Sequence, residues 1–167
     1  MEEKTLLKAV IVFPVRGNQI LLARKMKHIG VGCWNGYGGG IEESEDAKDA
    51  ALRELSEESG LEATRGGLKQ IAIVDFHNQK SDGSVFTCVC DVFLAYGCDG
   101  IAKDKPEMRN PTWFKISALP FDEMMPADKE WLPPALQGKK IRAEAWYGPL
   151  QKELLRPTVI REIDSFD

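Results

Sequence analysis

The sequence is poor in the residues that build disulfide frameworks and membrane spans. Its 167 residues include two histidines and four cysteines, and the cysteines form no CxxC pair. No run of 18 apolar residues occurs, and residues 1–4 are acidic and lack the apolar segment of a signal peptide. We therefore expect reduced thiols, a cytoplasmic location and no membrane partner.

Positive charge is also scarce. The chain has 22 Lys and Arg against 26 Asp and Glu, which gives a net charge of −4 and a pI of about 5.3. Because nucleic-acid binding depends on clustered basic residues, no stable nucleic-acid partner is expected. No repeat or linker-like segment divides residues 1–167, so we expect a single domain, as a monomer or a dimer.

Apolar runs and turn residues outline the fold. Two runs rich in β-branched residues, 9–13 and 20–22, flank Arg16-Gly17-Asn18, which predicts a hairpin. Further strands are predicted at 35–37, 68–76, 85–96, 112–116, 141–147 and 154–163. Helices are predicted at about 45–59 and 127–137. Strands on both sides of isolated helices indicate a mixed α/β or α+β sandwich.

The first predicted helix has clear end signals. Ser44 is its predicted N-cap, and Gly60 stands where a glycine commonly ends a helix. An apolar stripe between them indicates a face that packs on a core; it consists of Ala47, Ala50, Ala51 and Leu55. Ahead of the helix, six glycines between positions 30 and 40 predict a loop whose backbone can approach a ligand closely.

Three carboxylates share one face of this helix. Glu54, Glu57 and Glu58 stand at i, i+3 and i+4, and Arg53 is four residues before Glu57. On the glutamates alone, a solvated surface is the simpler interpretation. Hard divalent cations such as Mg²⁺, however, bind carboxylates together with substrate phosphates. The neighbouring glycine run therefore favours a Mg²⁺ site that receives a phosphorylated substrate.

A longer pattern resembles a known family. Gly39, five residues, Glu45, seven residues and the run RELSEESGL at 53–61 match the Nudix box, residues 39–61. Segments at 32–39, 107–114, 125–131 and around 161–164 are similar to those of MutT-type 8-oxo-dGTP diphosphatases. The resemblance implies a Nudix fold, a mixed β-sheet between helices. It also implies hydrolysis of a nucleoside triphosphate to the monophosphate and pyrophosphate.

The resemblance also implies a set of site residues. Mg²⁺, with Mn²⁺ as a substitute, would be held by Gly38, Glu54, Glu57, Glu58 and Glu107. The catalytic set would be Glu57, Arg53, Glu54 and Glu107, with Glu57 the favoured proton acceptor and Glu54 or Glu107 the alternatives. Arg53 would orient a carboxylate, and Glu45 would brace the box loop. The nucleotide substrate would meet Lys25, Asn35, Tyr37, Gly38, Gly39, Gly40, Met125 and Asp128. Lys25 is equally interpretable as a surface cation.

The base pocket departs from the resemblance more than the box does. Asn35 and Asp128 are retained, but Ala127 stands where the 8-oxo-dGTP enzymes have a second acid. Met125 replaces a tryptophan, and Ile29 and Val74 replace phenylalanines. Alternative functions are therefore a Nudix hydrolase of nucleotide sugars, dinucleoside polyphosphates or capped RNA, and a non-catalytic nucleotide-binding module. The retained glutamates argue against the last of these.

Overall fold

The computed structural model describes residues 3–167, so Met1 and Glu2 of the acidic N-terminal segment lie outside the described residues. The predicted hairpin is confirmed: β1 (Lys8–Arg16) and β2 (Gln19–Lys25) pair antiparallel, with Val15 opposite Ile20. Gly17 has a φ of 59°, the left-handed conformation that a tight hairpin turn requires.

A nine-stranded mixed sheet forms the framework. The remaining strands are β3 (Trp34–Asn35), β4 (Tyr37–Gly40), β5 (Leu68–Gln79), β6 (Val85–Ala95), β7 (Met108–Lys115), β8 (Ile141–Tyr147) and β9 (Val159–Glu162). Their order is β3-β2-β1-β6-β5-β8-β9, while β4 also pairs with β1 and β7 with β2. The β1–β6 and β5–β8 pairs are parallel and the others antiparallel. The mixed sheet predicted from sequence is confirmed.

Two helices cover opposite faces of this sheet. On one face, α1 (Ala47–Ser59) packs its buried alanines and Leu55 against Val10, Val12 and Phe93. On the other, α2 (Asp128–Leu136) packs Trp131 and Leu132 among residues of β5, β6 and β8. The alternation of side chains along the strands supplies both layers.

The start of α1 differs from the prediction. Asp46, and not Ser44, is the N-cap: its side chain accepts a hydrogen bond from the Asp49 backbone N–H at 2.8 Å. The Asp49 side chain accepts one from the Asp46 backbone N–H in return, which completes a capping box. The predicted end is confirmed, because Gly60 has a φ of 79° and caps the last turn.

Other boundaries also shift. The segment predicted as one short strand at 35–37 is two strands, which pair with different neighbours, β3 with β2 and β4 with β1. Strand β7 begins at Met108 rather than 112, and β9 covers only Val159–Glu162 of the predicted 154–163. All four cysteines are free. In residues 3–167, no helix has the length and hydropathy needed to span a bilayer.

Candidate active site

Strand β4 brings the glycine run against the central strand β1. Gly38 pairs with Ile11 and Gly39 with Val10. A side chain on Gly38 would overlap the Val10 carbonyl oxygen, and a Cβ on Gly39 would lie 2.5 Å from Glu54 Oε1. Glycine is therefore needed here for close approach, since it lets this backbone meet the glutamates of α1 directly.

Arg53 organises the near side of the site. Its Nε donates to Glu45 Oε2 at 3.1 Å, its Nη1 to Glu54 Oε1 at 2.9 Å, and its Nη2 to the Gly40 carbonyl at 3.1 Å. Nη1 also lies 3.4 Å from Glu57 Oε2. Arg53 therefore contacts Glu45, Glu54, Glu57 and the Gly40 backbone at once; that Arg53 orients a carboxylate and Glu45 braces the loop stay predictions.

Glu58 is the more buried carboxyl group of the helix face. Its Oε1 accepts a hydrogen bond from the Gly38 backbone N–H at 2.9 Å. Burial raises the pKa of Glu58, and the neighbouring charges of Glu54 and Glu107 raise it further. Burial also raises the pKa of Glu54, although Arg53 opposes that shift. An all-oxygen donor set with crowded negative charge fits a hard divalent cation.

Glu57 stands apart from this group. Its side chain is 60% exposed, against 13% for Glu54. Within residues 3–167, no three acidic, His or Cys side chains are already gathered at the spacing of a metal-binding group. Glu54 and Glu107 are nonetheless near enough to Glu58 for their charges to raise its pKa, whereas Glu57 is the more exposed lining residue of the same helix.

One cavity of about 470 Å³ adjoins these carboxylates. Its volume lies within the range of small-molecule sites. The predicted site residues that line it are Lys25, Asn35, Gly38, Gly39, Gly40, Glu54, Glu57, Glu58, Glu107, Met125 and Asp128. The predicted acidic residues and the predicted base-contacting residues therefore share one continuous space.

Two of the residues predicted to meet the substrate, Tyr37 and Lys25, differ in their positions relative to the cavity. Tyr37 does not line the cavity: its side chain is fully buried in the core under α1, so its predicted substrate contact is wrong. Lys25 is not a free surface cation, because it is half-buried in the cavity wall. Burial lowers its pKa, while the charges of Glu58 and Asp128 oppose that shift.

Asn35, Met125 and Asp128 form another part of the cavity wall. Asn35 Oδ1 accepts a hydrogen bond from the Gly36 backbone N–H at 2.8 Å. Asp128 is 5% exposed, and its carboxylate accepts from the Met125 backbone N–H and from Trp131 Nε1, both at 3.2 Å. Burial raises the pKa of Asp128 to about 7. Both polar side chains are thus held in place by neighbours.

Sequence reasoning missed much of the remaining cavity wall. These additional lining residues include Phe76, Asn78, Phe86, Cys88, Tyr147, Leu150 and Gln151. Ile29 lines the cavity, whereas Val74 is buried in the core below it. Alternation places Val74, Phe76 and Asn78 on one face of β5, but only the pairing of β5 with β6 and β8 brings that face to the site.

Comparisons with known proteins agree with this geometry. The NUDIX domain model matches residues 5–134. The chain is similar to the oxidized purine nucleoside triphosphate hydrolase of Mus musculus, with 33% identity over 93% of this chain and 95% of that protein. It is also similar to the protein of that name from Danio rerio, with 36% identity over 78% and 80% of the two chains. Its fold is similar to the crystal structure of a MutT protein from Bacillus halodurans, with a TM-score of 0.75, 22% identity, and coverage of 93% and 97%.

Proposed function

Because the chain belongs to the NUDIX domain family and is a Nudix hydrolase, we propose that it converts purine nucleoside triphosphates to the monophosphate and pyrophosphate. Oxidised purines such as 8-oxo-dGTP are included among the proposed substrates. The names of the two similar animal proteins support this substrate class. The single observation that carries the proposal is the continuous cavity, which joins the helix-face carboxylates to the Asn35 and Asp128 wall.

Nudix hydrolases generally use divalent metal ions, and we propose Mg²⁺, with Mn²⁺ as a substitute. Its ligands would be Glu54, Glu57, Glu58, Glu107 and the Gly38 carbonyl. When bound, Mg²⁺ neutralises charge on the phosphate oxygens. The oxygen donors and the crowded negative charge of the carboxyl groups support this assignment.

The chain's own residues supply the other roles in this proposal. Glu57 accepts the proton of the attacking water, because its side chain is exposed at the cavity edge. Arg53 sets the orientation of Glu54 through the 2.9 Å hydrogen bond. Lys25, which lines the same cavity near Glu58 and Glu107, pairs with substrate phosphate. The four free cysteines agree with a cytoplasmic location for this activity.

Product analysis tests the activity. With Mg²⁺ and a nucleoside triphosphate, we expect the monophosphate and pyrophosphate, and not the diphosphate and inorganic phosphate. A panel of 8-oxo-dGTP, dGTP, dCTP and ADP-ribose at one Mg²⁺ concentration compares substrates by kcat/KM. Tight stoichiometric binding without any pyrophosphate release would establish the non-catalytic alternative, and a tenfold lead for ADP-ribose would contradict the proposed substrate class.

A single variant tests the carboxylate assignment. Glu58→Gln keeps the side-chain shape but removes a proposed metal ligand, so kcat should fall by about 10³-fold or more. Glu43→Gln, a change of an exposed loop glutamate, is the matched control and should leave kcat unchanged. Near-normal turnover in the Glu58 variant would remove that residue from the metal site.

A further inference from the structure

A strained turn closes the side of the cavity that lies beyond β5. It follows β8, and its residues Leu150 and Gln151 have φ values of 58° and 54°. Non-glycine residues rarely adopt this left-handed conformation, and such strain concentrates at functional sites. Both residues line the cavity. The sheet order places them across β1, β6, β5 and β8 from the glycines of β4.

Hydrogen bonds hold the Gln151 side chain in one orientation. Its Nε2 donates to Asn78 Oδ1 at 2.7 Å, and Asn78 Nδ2 donates to the Phe76 carbonyl at 2.9 Å. Asn78 is 7% exposed, so this support is buried. The Gln151 backbone N–H also donates to the Gly148 carbonyl at 3.0 Å. The strained turn therefore presents a fixed amide group.

The Gln151 side-chain amide keeps groups that can form hydrogen bonds with a ligand. Among residues 3–167, Gln151 makes no side-chain hydrogen bond other than the one to Asn78, which leaves one N–H and the carbonyl oxygen. The cavity wall also includes the rings of Phe76 and Phe86 and the side chain of Leu150. A half-buried amide between such surfaces suits a flat heteroaromatic ligand that also forms hydrogen bonds.

We propose that Gln151 is a specificity-determining residue that reads the base through adjacent N–H and C=O groups, with Asn78 as its positioning residue. This inference rests on the proposed function, because it assigns the base of the substrate to this side of the cavity. The ligand class is a purine whose exposed edge carries a donor beside an acceptor.

Base chemistry explains the preferred ligand. Guanine presents two adjacent acceptors on this edge, N7 and O6, whereas a glutamine amide pairs with one donor and one acceptor. Oxidation at C8 converts N7 to N–H, so the edge of an 8-oxoguanine becomes a donor beside the O6 acceptor. Gln151 can then form two hydrogen bonds, where ordinary guanine would place N7 against the amide oxygen.

Binding of the monophosphate products tests this inference without requiring turnover. Calorimetry would measure the Kd values of 8-oxo-dGMP and dGMP for the wild type and for Gln151→Leu. The control variant is Gln137→Leu, because Gln137 is exposed at the end of α2. We expect Gln151→Leu to weaken 8-oxo-dGMP binding by about tenfold or more, since a lost partner leaves a base group unpaired. Binding of dGMP should change by about twofold or less, and the control should match the wild type.

Two further variants distinguish recognition of the base by Gln151 from a general effect of substitution on folding. Gln151→Met keeps the side-chain length but removes both the N–H donor and the oxygen that accepts from N7–H, and it should lower the preference for 8-oxo-dGMP in the same direction. Asn78→Leu should do the same by releasing the amide. Equal weakening of both monophosphates, an unchanged preference, or failure of the wild type to bind either one would overturn the inference. Pyrophosphate assays are separate: intact base discrimination without pyrophosphate release would refute only the proposed function.

Discussion

At the scale of single residues, Asp128 shows how burial changes a side chain's chemistry. Its carboxyl group accepts two N–H donors, from Met125 and Trp131, and lies near Lys25, all of which favour the charged form. Burial outweighs them and raises the pKa to about 7. A neutral carboxyl below that pH can donate a hydrogen bond to a base, which a carboxylate cannot.

This pKa predicts a pH dependence of stability. Between about pH 4, the unfolded value, and about pH 7, the folded state holds a proton that the unfolded state has released. The contribution of Asp128 to stability is therefore present at low pH and is lost as pH rises through 7, by up to about 4 kcal/mol. Asp128→Asn removes this titration.

Urea denaturation at pH 5 and pH 8 measures the effect. Relative to Asp128→Asn, the wild type should be less stable at pH 8 than at pH 5, because other carboxyl groups titrate in both proteins and cancel. Parallel changes in the two proteins would mean that Asp128 ionises normally in the fold.

At the scale of elements, α1 depends on a cap that local preference did not select. Ser44 and Asp46 are both good N-cap residues, and the structure uses Asp46 because Asp49 can return the hydrogen bond. Arg65 adds a second reason, since it lies 2.9 Å from Asp46 and 2.6 Å from Asp49. The first turn of the helix that carries the glutamates is thus tied to a segment beyond its C-terminus.

Alanine substitutions at Asp46 and Ser44 form a matched pair that tests which residue caps α1. Asp46→Ala should lower the urea midpoint at constant m-value, because the Asp49 N–H loses its acceptor and Arg65 loses a partner. Ser44→Ala should leave the urea midpoint unchanged, because Ser44 lies outside the capping box. Equal midpoints for the two variants would contradict the assignment of Asp46 as the cap.

At the scale of the whole molecule, the carboxyl groups of α1 and β7 are gathered beside a sheet whose strands come from the length of the chain. Glu54 and Glu58 belong to one helix, while Glu107 immediately precedes β7. The charges of Glu54 and Glu107 raise the pKa of Glu58, so folding brings like charges together. A bound cation would relieve this repulsion and so stabilise the native state.

We therefore expect Mg²⁺ to raise the thermal midpoint of the whole domain. Binding to the native state alone stabilises it by about 2.7 kcal/mol at a Mg²⁺ concentration 100 times Kd. Glu58→Gln should remove most of this rise, whereas NaCl at equal ionic strength should not reproduce it in the wild type. The same Mg²⁺-dependent shift in both proteins would place the cation elsewhere.

Local spacing by itself determined the hairpin, the apolar face of α1, its end at Gly60 and the position of Glu54 and Glu58 on one face of that helix. These features depend on residues within a few positions of one another, where helical and strand periodicity act directly. Tertiary structure alone decided two others: the inward turn of Tyr37 and the far cavity wall with Gln151. Each depends on which distant strand or side chain becomes a neighbour, and pairing across a sheet is not encoded in the spacing of nearby residues.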